Sequence, residues 1–289
     1  MADPFQREAQ LHLQSTYYPL GFPLHLKTNC EDIVRAAEEN WGGASKLFDE
    51  VPFELRVIVS PGTASPAPPV YHSQEYLMTA ISDAENFAVC DYTKNLAFCR
   101  LTETTAKRRH FVAYYYLKAL INYAFAQLYL TPVHAACVAW NGRGVLLCGE
   151  SGAGKTTLAY ACIRKGWTYI SDNESWLVRA APGNLLVGDS RRIRFREDAV
   201  SLFPELQDKP RQQDATGKWK IEITMPAASS CEIARVVMLS KHLDEIPLYE
   251  DHVRTEHRKS LDKLAKLDRV EFHTRDLDEA ERTLKALMT

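Results

Sequence analysis

Gly149-Glu150-Ser151-Gly152-Ala153-Gly154-Lys155-Thr156-Thr157 is the stretch whose reading decides the fold. It meets the phosphate-binding loop pattern G-x-x-x-x-G-K-[ST] at every required position. Just before it, Gly144-Val145-Leu146-Leu147-Cys148 is a short apolar run that reads as a buried strand. Just after it, Thr156 to Arg164 reads as a helix. Strand, glycine-rich turn and helix N-terminus form the context that gives the motif its meaning. Glycines allow positive φ and a close backbone approach to a phosphate. The opening helix adds unpaired N–H donors and the positive end of its dipole. Lys155 has the reach for the β- and γ-phosphates, and Thr156 offers a hydroxyl to Mg²⁺. A glycine-rich turn of this pattern would arise by chance in roughly one chain in a hundred. The flanking strand and helix favour nucleotide binding over that accident.

The chain around the loop has 289 residues, 46% of them hydrophobic and 25% charged, enough for one large or two small domains. Its net charge of −2 gives no sign of nucleic-acid or anionic-membrane partners. The seven cysteines, at 30, 90, 99, 137, 148, 162 and 231, form no C-x-x-C pair. Neither a disulfide framework nor a zinc site is expected, and a reducing cytoplasm is the expected compartment. Met1 to Arg7 lacks a basic start followed by an apolar run, so no signal peptide is expected. Phe111 to Leu130 is apolar but holds Lys118, Asn122 and Gln127, which suits a buried helix better than a membrane span.

Upstream, Leu11 to Lys27 reads as two short strands around a Pro-Leu-Gly-Phe-Pro turn, and Asn29 as the N-cap of a helix over 30–41. Strands are expected at 53–59, 76–81, 87–90 and 96–101, with a Pro-rich surface loop at 61–69. The polar, basic stretch 102–109 places a domain boundary at 106/107. A small, mainly-β α+β domain (1–106) therefore precedes the loop-bearing domain (107–289). There, a long helix to Leu130 is ended by Pro132, and Asn141-Gly142 signals a hairpin between 134–140 and 144–148. Beyond the loop helix, Thr168 to Ser171 reads as a strand, with others at 176–178, 185–187, 219–223, 233–239 and 270–273. Gln207 to Lys218 reads as an exposed loop, and helices are expected at 256–267 and 277–288.

Phosphoryl transfer needs a held polyphosphate, Mg²⁺, a group that orients or deprotonates the acceptor, and positive charge. Asp172 follows the strand after the loop helix, at the sheet edge that carries ligands in α/β proteins, where it could hold Mg²⁺ or act as base. A turn-capping Asp is the alternative. Glu174 shares a face with Asp172 if the strand continues, and is the second acidic candidate. Solvated surface Glu is the other reading. His134, opening the hairpin, reads as structural by spacing alone. Arg191, Arg192, Arg194 and Arg196 could clamp phosphates, but one strand cannot aim all four at one site. Lys209, Arg211 and Lys218 fit an ordinary polar loop.

These residues carry a resemblance. His134 to Trp176 resembles the catalytic core of bacterial HPr kinase/phosphorylase, which has a histidine opening a hairpin, then the phosphate loop, then an Asp-Asp pair on the next strand. His134…Gly142-x-Gly144-Val145-Leu146…Gly149-Glu150-Ser151-Gly152 keeps that spacing, and Ile170-Ser171-Asp172-Asn173 stands where the acidic pair would be. The resemblance is strong over some forty residues. It implies an α/β fold of the HPr kinase/phosphoenolpyruvate carboxykinase type and use of ATP and Mg²⁺. It also implies catalytic roles for His134, Lys155, Thr156 and Asp172, and transfer to a serine of a protein or peptide. Asn173 replaces the second acid, and Thr157 stands where the family has Glu. A small-molecule kinase, a carboxykinase-like enzyme and a nucleotide-binding regulatory module without turnover stay open, and a homo-oligomer is compatible with the sequence.

Overall fold

The computed structural model describes residues 10–288 except 173, 191–192, 196–199, 210, 214–218, 222–224, 241–250 and 273–275. The chain divides into two compact units, Met1–Leu128 and Tyr129–Thr289. The fold is mixed α/β, with one large sheet in each unit.

The first unit holds β1 (Leu13–Tyr17), β2 (Leu24–Thr28), β3 (Phe53–Ser60), β4 (Val70–Gln74), β5 (Leu77–Ile81), β6 (Phe87–Asp91) and β7 (Leu96–Thr102), in the order β1-β2-β3-β7-β6-β5-β4. Helix α1 (Glu31–Trp41) connects the parallel neighbours β2 and β3 and buries Ile33, Ala36, Ala37 and Trp41. Its N-cap is Cys30, not Asn29. The Asn29 amide is used elsewhere: it donates to the Val59 carbonyl and accepts from the Val59 N–H, both at 2.8 Å, extending the β2–β3 ladder by one side chain. Strand β4 had no expectation in the sequence. It is an edge strand with most side chains exposed, so it carries no apolar alternation to read.

A helical run follows: Glu103–Lys107, Arg109–Phe111, a wide-turned stretch Val112–Lys118, and α2 (Ala119–Leu128). It packs on α1, where the Asn40 amide donates to the Ala113 carbonyl at 2.6 Å and Arg109 pairs with Glu39 at 2.6 Å. The division between units therefore falls after Leu128, whereas the sequence placed it after residue 106.

The second unit holds β8 (Leu130–Val133), β9 (Ala135–Trp140), β10 (Arg143–Cys148), β11 (Thr168–Ser171), β12 (Ser175–Val178), β13 (Leu185–Gly188), β14 (Ile193–Phe195), β15 (Arg211–Gln213), β16 (Trp219–Ile221), β17 (Ser230–Met238) and β18 (Arg269–Glu271). Eight of them form the main sheet in the order β11-β9-β10-β17-β13-β12-β8, with β18 beside β17. The other three form a small sheet, β14-β16-β15, so part of the expected exposed loop 207–218 is strand. Pro132 lies in β8 rather than merely ending a helix. As the last strand of the sheet, β8 has an unpaired side where a missing N–H costs nothing.

Both faces of the main sheet are covered, which explains the continuous apolar runs of β9 and β10. Ala136, Val138, Val145 and Leu147 pack into one core with α3 (Lys155–Arg164) and α5 (Leu277–Ala286). Ala135, Cys137, Leu146 and Cys148 point into the other, with Leu264 of α4 (Asp251–Ala265). At the β9–β10 turn, Asn141 and Gly142 have φ of 50° and 79°, the left-handed pair of a type I′ hairpin. Among the described residues, no helix is long and apolar enough to cross a membrane.

Candidate functional site

β10 runs from the hairpin straight into the glycine-rich loop, and α3 begins at Lys155. Three loop glycines, Gly149, Gly152 and Gly154, have φ of 152°, 95° and 92°, a region that side chains rarely adopt. Gly149 is also crowded. A Cβ there would lie 3.0 Å from Ala153 Cβ and 3.2 Å from Ser240 Oγ. Gly154 is the N-cap of α3 and, having no side chain, supplies no side-chain cap of its own to the first turn. Glu150, Ser151 and Gly152 are exposed, Ala153, Gly154, Thr156 and Thr157 are half-buried, and the Ala153 N–H closes the loop on the Glu150 carbonyl at 3.1 Å.

Lys155 is buried, at 5% exposure. Its ammonium donates to the Gly149 carbonyl at 2.6 Å and to the Glu150 carbonyl at 3.0 Å, so the side chain curls under its own loop. The charge has a neighbour in Cys148. Burial pushes that thiol up to about 12, with Lys155 pulling the other way. Cys148 is accordingly a thiol rather than a nucleophilic thiolate at neutral pH.

Thr156 Oγ1 donates to Asp172 Oδ1 at 2.9 Å. This bond joins the first turn of α3 to the residue that follows β11, uniting two sequence candidates sixteen positions apart. A bulge precedes Asp172: Tyr169 and Ser171, but not Ile170, have partners on β9. Bulges re-aim the residues after them, and they concentrate near functional sites.

Strand β11 does not continue to Glu174, as a shared strand face would require. It ends at Ser171 and β12 begins at Ser175, so Asp172 and Glu174 lie in the connection between two strands. A hydroxyl bridge spans that connection, with Ser171 Oγ and Ser175 Oγ 2.6 Å apart and both buried. Ser175 Oγ goes on to donate to the Ala135 carbonyl at 2.9 Å. Gly188 of β13 packs over Ser171 so closely that a Cβ at 188 would sit 2.4 Å from Ser171 Cβ.

His134 is the single residue between β8 and β9. Val133 before it pairs with Ser175, and Ala135 after it pairs with Cys148, the residue before Gly149. Pairing thus brings His134 to the root of the loop and to the start of β12. The fold gathers Gly149 to Thr156, Asp172, Glu174 and His134 about the ends of β9, β10, β11 and β12. Arg194 contributes backbone to β14, while Arg191, Arg192, Arg196, Lys218 and Asn173 lie outside the described residues. Lys209 is exposed, and Arg211 adds backbone to β15.

Three residues at this site had no sequence signal. Ser171 and Ser175 look like polar ends of apolar strands. Ser240 follows β17, far along the chain, yet its Oγ accepts from the Glu150 N–H at 3.0 Å. Spacing from the loop motif reaches none of them.

The family model for "SynChlorMet cassette protein ScmC" matches residues 97–188, less than half of the chain but including the loop, His134, Asp172 and Glu174. No curated protein matches. Among solved structures, the HPr(Ser) kinase/phosphatase from Coxiella burnetii matches at 18% identity, over 55% of this chain and 88% of that one, with a TM-score of 0.33. The chain is thus similar over its central third to ScmC, and the chemistry of its site is read from its own residues.

Proposed function

We propose that the second unit is an ATP-dependent phosphotransferase that moves the γ-phosphoryl group to a serine hydroxyl of a protein or peptide. The observation that carries this reading is the Thr156–Asp172 hydrogen bond at 2.9 Å beside a helix start whose N-cap is a glycine. It places a hydroxyl and a carboxylate, oxygen ligands of the kind Mg²⁺ takes, at the mouth of a loop whose glycine backbone no side chain could replace. The residues fit Mg-ATP. Gly149 to Thr156 would hold the polyphosphate, and Thr156 and Asp172 the metal, with Glu174 in the same connection.

Mg-ATP, when bound, supplies the phosphoryl group and a cation that offsets its charge. The chain's residues do the rest. Lys155, now bonded to the Gly149 and Glu150 carbonyls, would be the residue to hold phosphate oxygens, and its charge would offset negative charge on the transferred group. Asp172 orients the acceptor hydroxyl and receives its proton late, since the transition state is loose. His134, at the loop root, is the second group within reach of the acceptor. The choice of a serine on a protein or peptide rests on the resemblance over His134 to Trp176.

Labelled ATP added to a lysate with the purified protein tests the reading. A labelled protein or peptide band is expected. A labelled small molecule would mean a different acceptor class, and binding without transfer a regulatory module. Lys155→Ala is the control. Removing a charge-assisted contact is expected to weaken Mg-ATP roughly 10- to 100-fold by calorimetry. Unchanged binding would refute the loop assignment.

A further inference from the structure

The buried Ser171–Ser175 pair is the observation left over once the loop, the acids and His134 have been given roles. We infer that Ser175 is a positioning residue that sets Asp172 and His134 in register with each other. The inference rests on the phosphotransfer reading of the site and adds a residue to it.

The direction of the hydroxyl chain follows from counting hydrogens. A serine hydroxyl has one hydrogen to donate. Ser175 spends its own on the Ala135 carbonyl, at 2.9 Å. The 2.6 Å contact to Ser171 must then be donated by Ser171. The chain runs one way, Ser171 to Ser175 to Ala135, and neither hydroxyl hydrogen is left over. Asp172 is the next residue after Ser171, and His134 the last before Ala135. A single side chain therefore holds the backbone roots of both groups, one on β11 and one on β9. It stands at the first position of β12, whose approach to β9 the bond to Ala135 fixes.

A purely structural role would be served by apolar residues. The strands that carry this hydroxyl chain, and the strands they pair with, supply Ala135, Cys137, Ile170, Leu177 and Leu186 to one of the two cores of the sheet. Two buried hydroxyls in such surroundings are costly unless bonded, and bonded they impose a geometry that apolar packing does not. Gly188 reinforces that geometry. It faces Ser175 in the β12–β13 register and lies against Ser171, where any side chain at 188 would collide with the serine. The connection is held at both ends, and Asp172 and Glu174 within it are half-buried.

The test compares wild type with Ser175→Ala and Ser175→Thr, using Mg-ATP with water as acceptor and phosphate release as the readout. Neither substitution touches the loop, so the KM for Mg-ATP is expected to stay within about twofold. A misplaced acceptor-orienting group can cost roughly 100-fold, and kcat of Ser175→Ala is expected to fall about 10- to 100-fold. Ser175→Thr keeps the hydroxyl and is expected to recover most of the loss. The ¹⁵N-histidine spectrum with Mg-ATP bound gives a second readout that needs no turnover. The His134 signal, assigned by its loss in His134→Gln, is expected to move in Ser175→Ala and to return in Ser175→Thr. Unchanged kcat, or an unmoved His134 signal where the wild type has no turnover, overturns the inference. So does a joint loss of kcat, Mg-ATP affinity and melting temperature that threonine does not restore, since that is what a structural role predicts. If the wild type binds no Mg-ATP at all, the phosphotransfer reading itself has failed, and that result appears before any variant is made.

Discussion

Lys155 and Asp172 show how much of a site a single residue's surroundings decide. A lysine at a loop mouth would ordinarily be a solvated cation, yet here it is buried and held by two carbonyls of its own loop. The loop is thus braced by the charge it would lend to a nucleotide. Asp172 is held by the Thr156 hydroxyl. Asp172→Asn is expected to abolish transfer while weakening Mg-ATP only about tenfold or less, because the loop contacts to the phosphates survive. Glu174→Gln is expected to be milder. An inactive Glu174→Gln beside an active Asp172→Asn, both measured by phosphate release, would reverse the assignment. The residues legible in the sequence were those whose chemistry demands a fixed local pattern: glycines with positive φ, and a lysine and a hydroxyl at a helix start. Ser171, Ser175 and Ser240 were not legible, because their partners lie on other strands and a hydroxyl carries no periodicity.

Elements were legible where burial writes a period into the chain. Strands β9 and β10 face a core on each side and read as apolar runs, and Asn141-Gly142 announced the turn between them. Strand β4 and the strand character of Pro132 escaped because edge strands answer to fewer neighbours. Helix α4 carries a pH signature of its own. His257 is buried against β8, with Nδ1 3.0 Å from Thr131 Oγ1. Burial, with Arg179 adding to it, lowers its pKa from 6.5 to about 4. The folded state then takes up a proton less readily than the unfolded chain. Stability from this group is full above about pH 6.5 and is lost as pH falls towards 4, by up to about 3 kcal/mol. Melting temperature is expected to drop between pH 7 and pH 4.5, and His257→Gln to flatten that part of the profile. A variant whose profile parallels the wild type would show that His257 does not contribute.

At the scale of the whole molecule, the second unit owes its sheet to one late strand. Among the described residues, β17 is the strand hydrogen-bonded to both β10 and β13, so it joins β11-β9-β10 to β13-β12-β8. It pairs in parallel with β10, Arg143 facing Glu232, across a long stretch of chain. Such non-local parallel pairing makes folding slow, because loop closure must come before the contacts that reward it. Refolding from urea, followed by tryptophan fluorescence, is expected to show the second unit forming in one late step. A chain ending at Ser229 is expected to lack a cooperative transition for that unit; a sharp one would show that the two halves do not need β17.

The same strand has a meaning during synthesis. The loop, Asp172 and Ser175 all leave the ribosome before Ser230, at roughly 5–20 residues per second. For some seconds the nascent chain carries its glycine-rich loop, Asp172 and Ser175 with β11-β9-β10 not yet joined to β13-β12-β8. On the phosphotransfer reading proposed above, translation itself would act as a safety catch. The chain would be without its joined sheet while it is still being made, and an mRNA broken before the codons for β17 would yield a protein with every recognisable motif on an incomplete sheet.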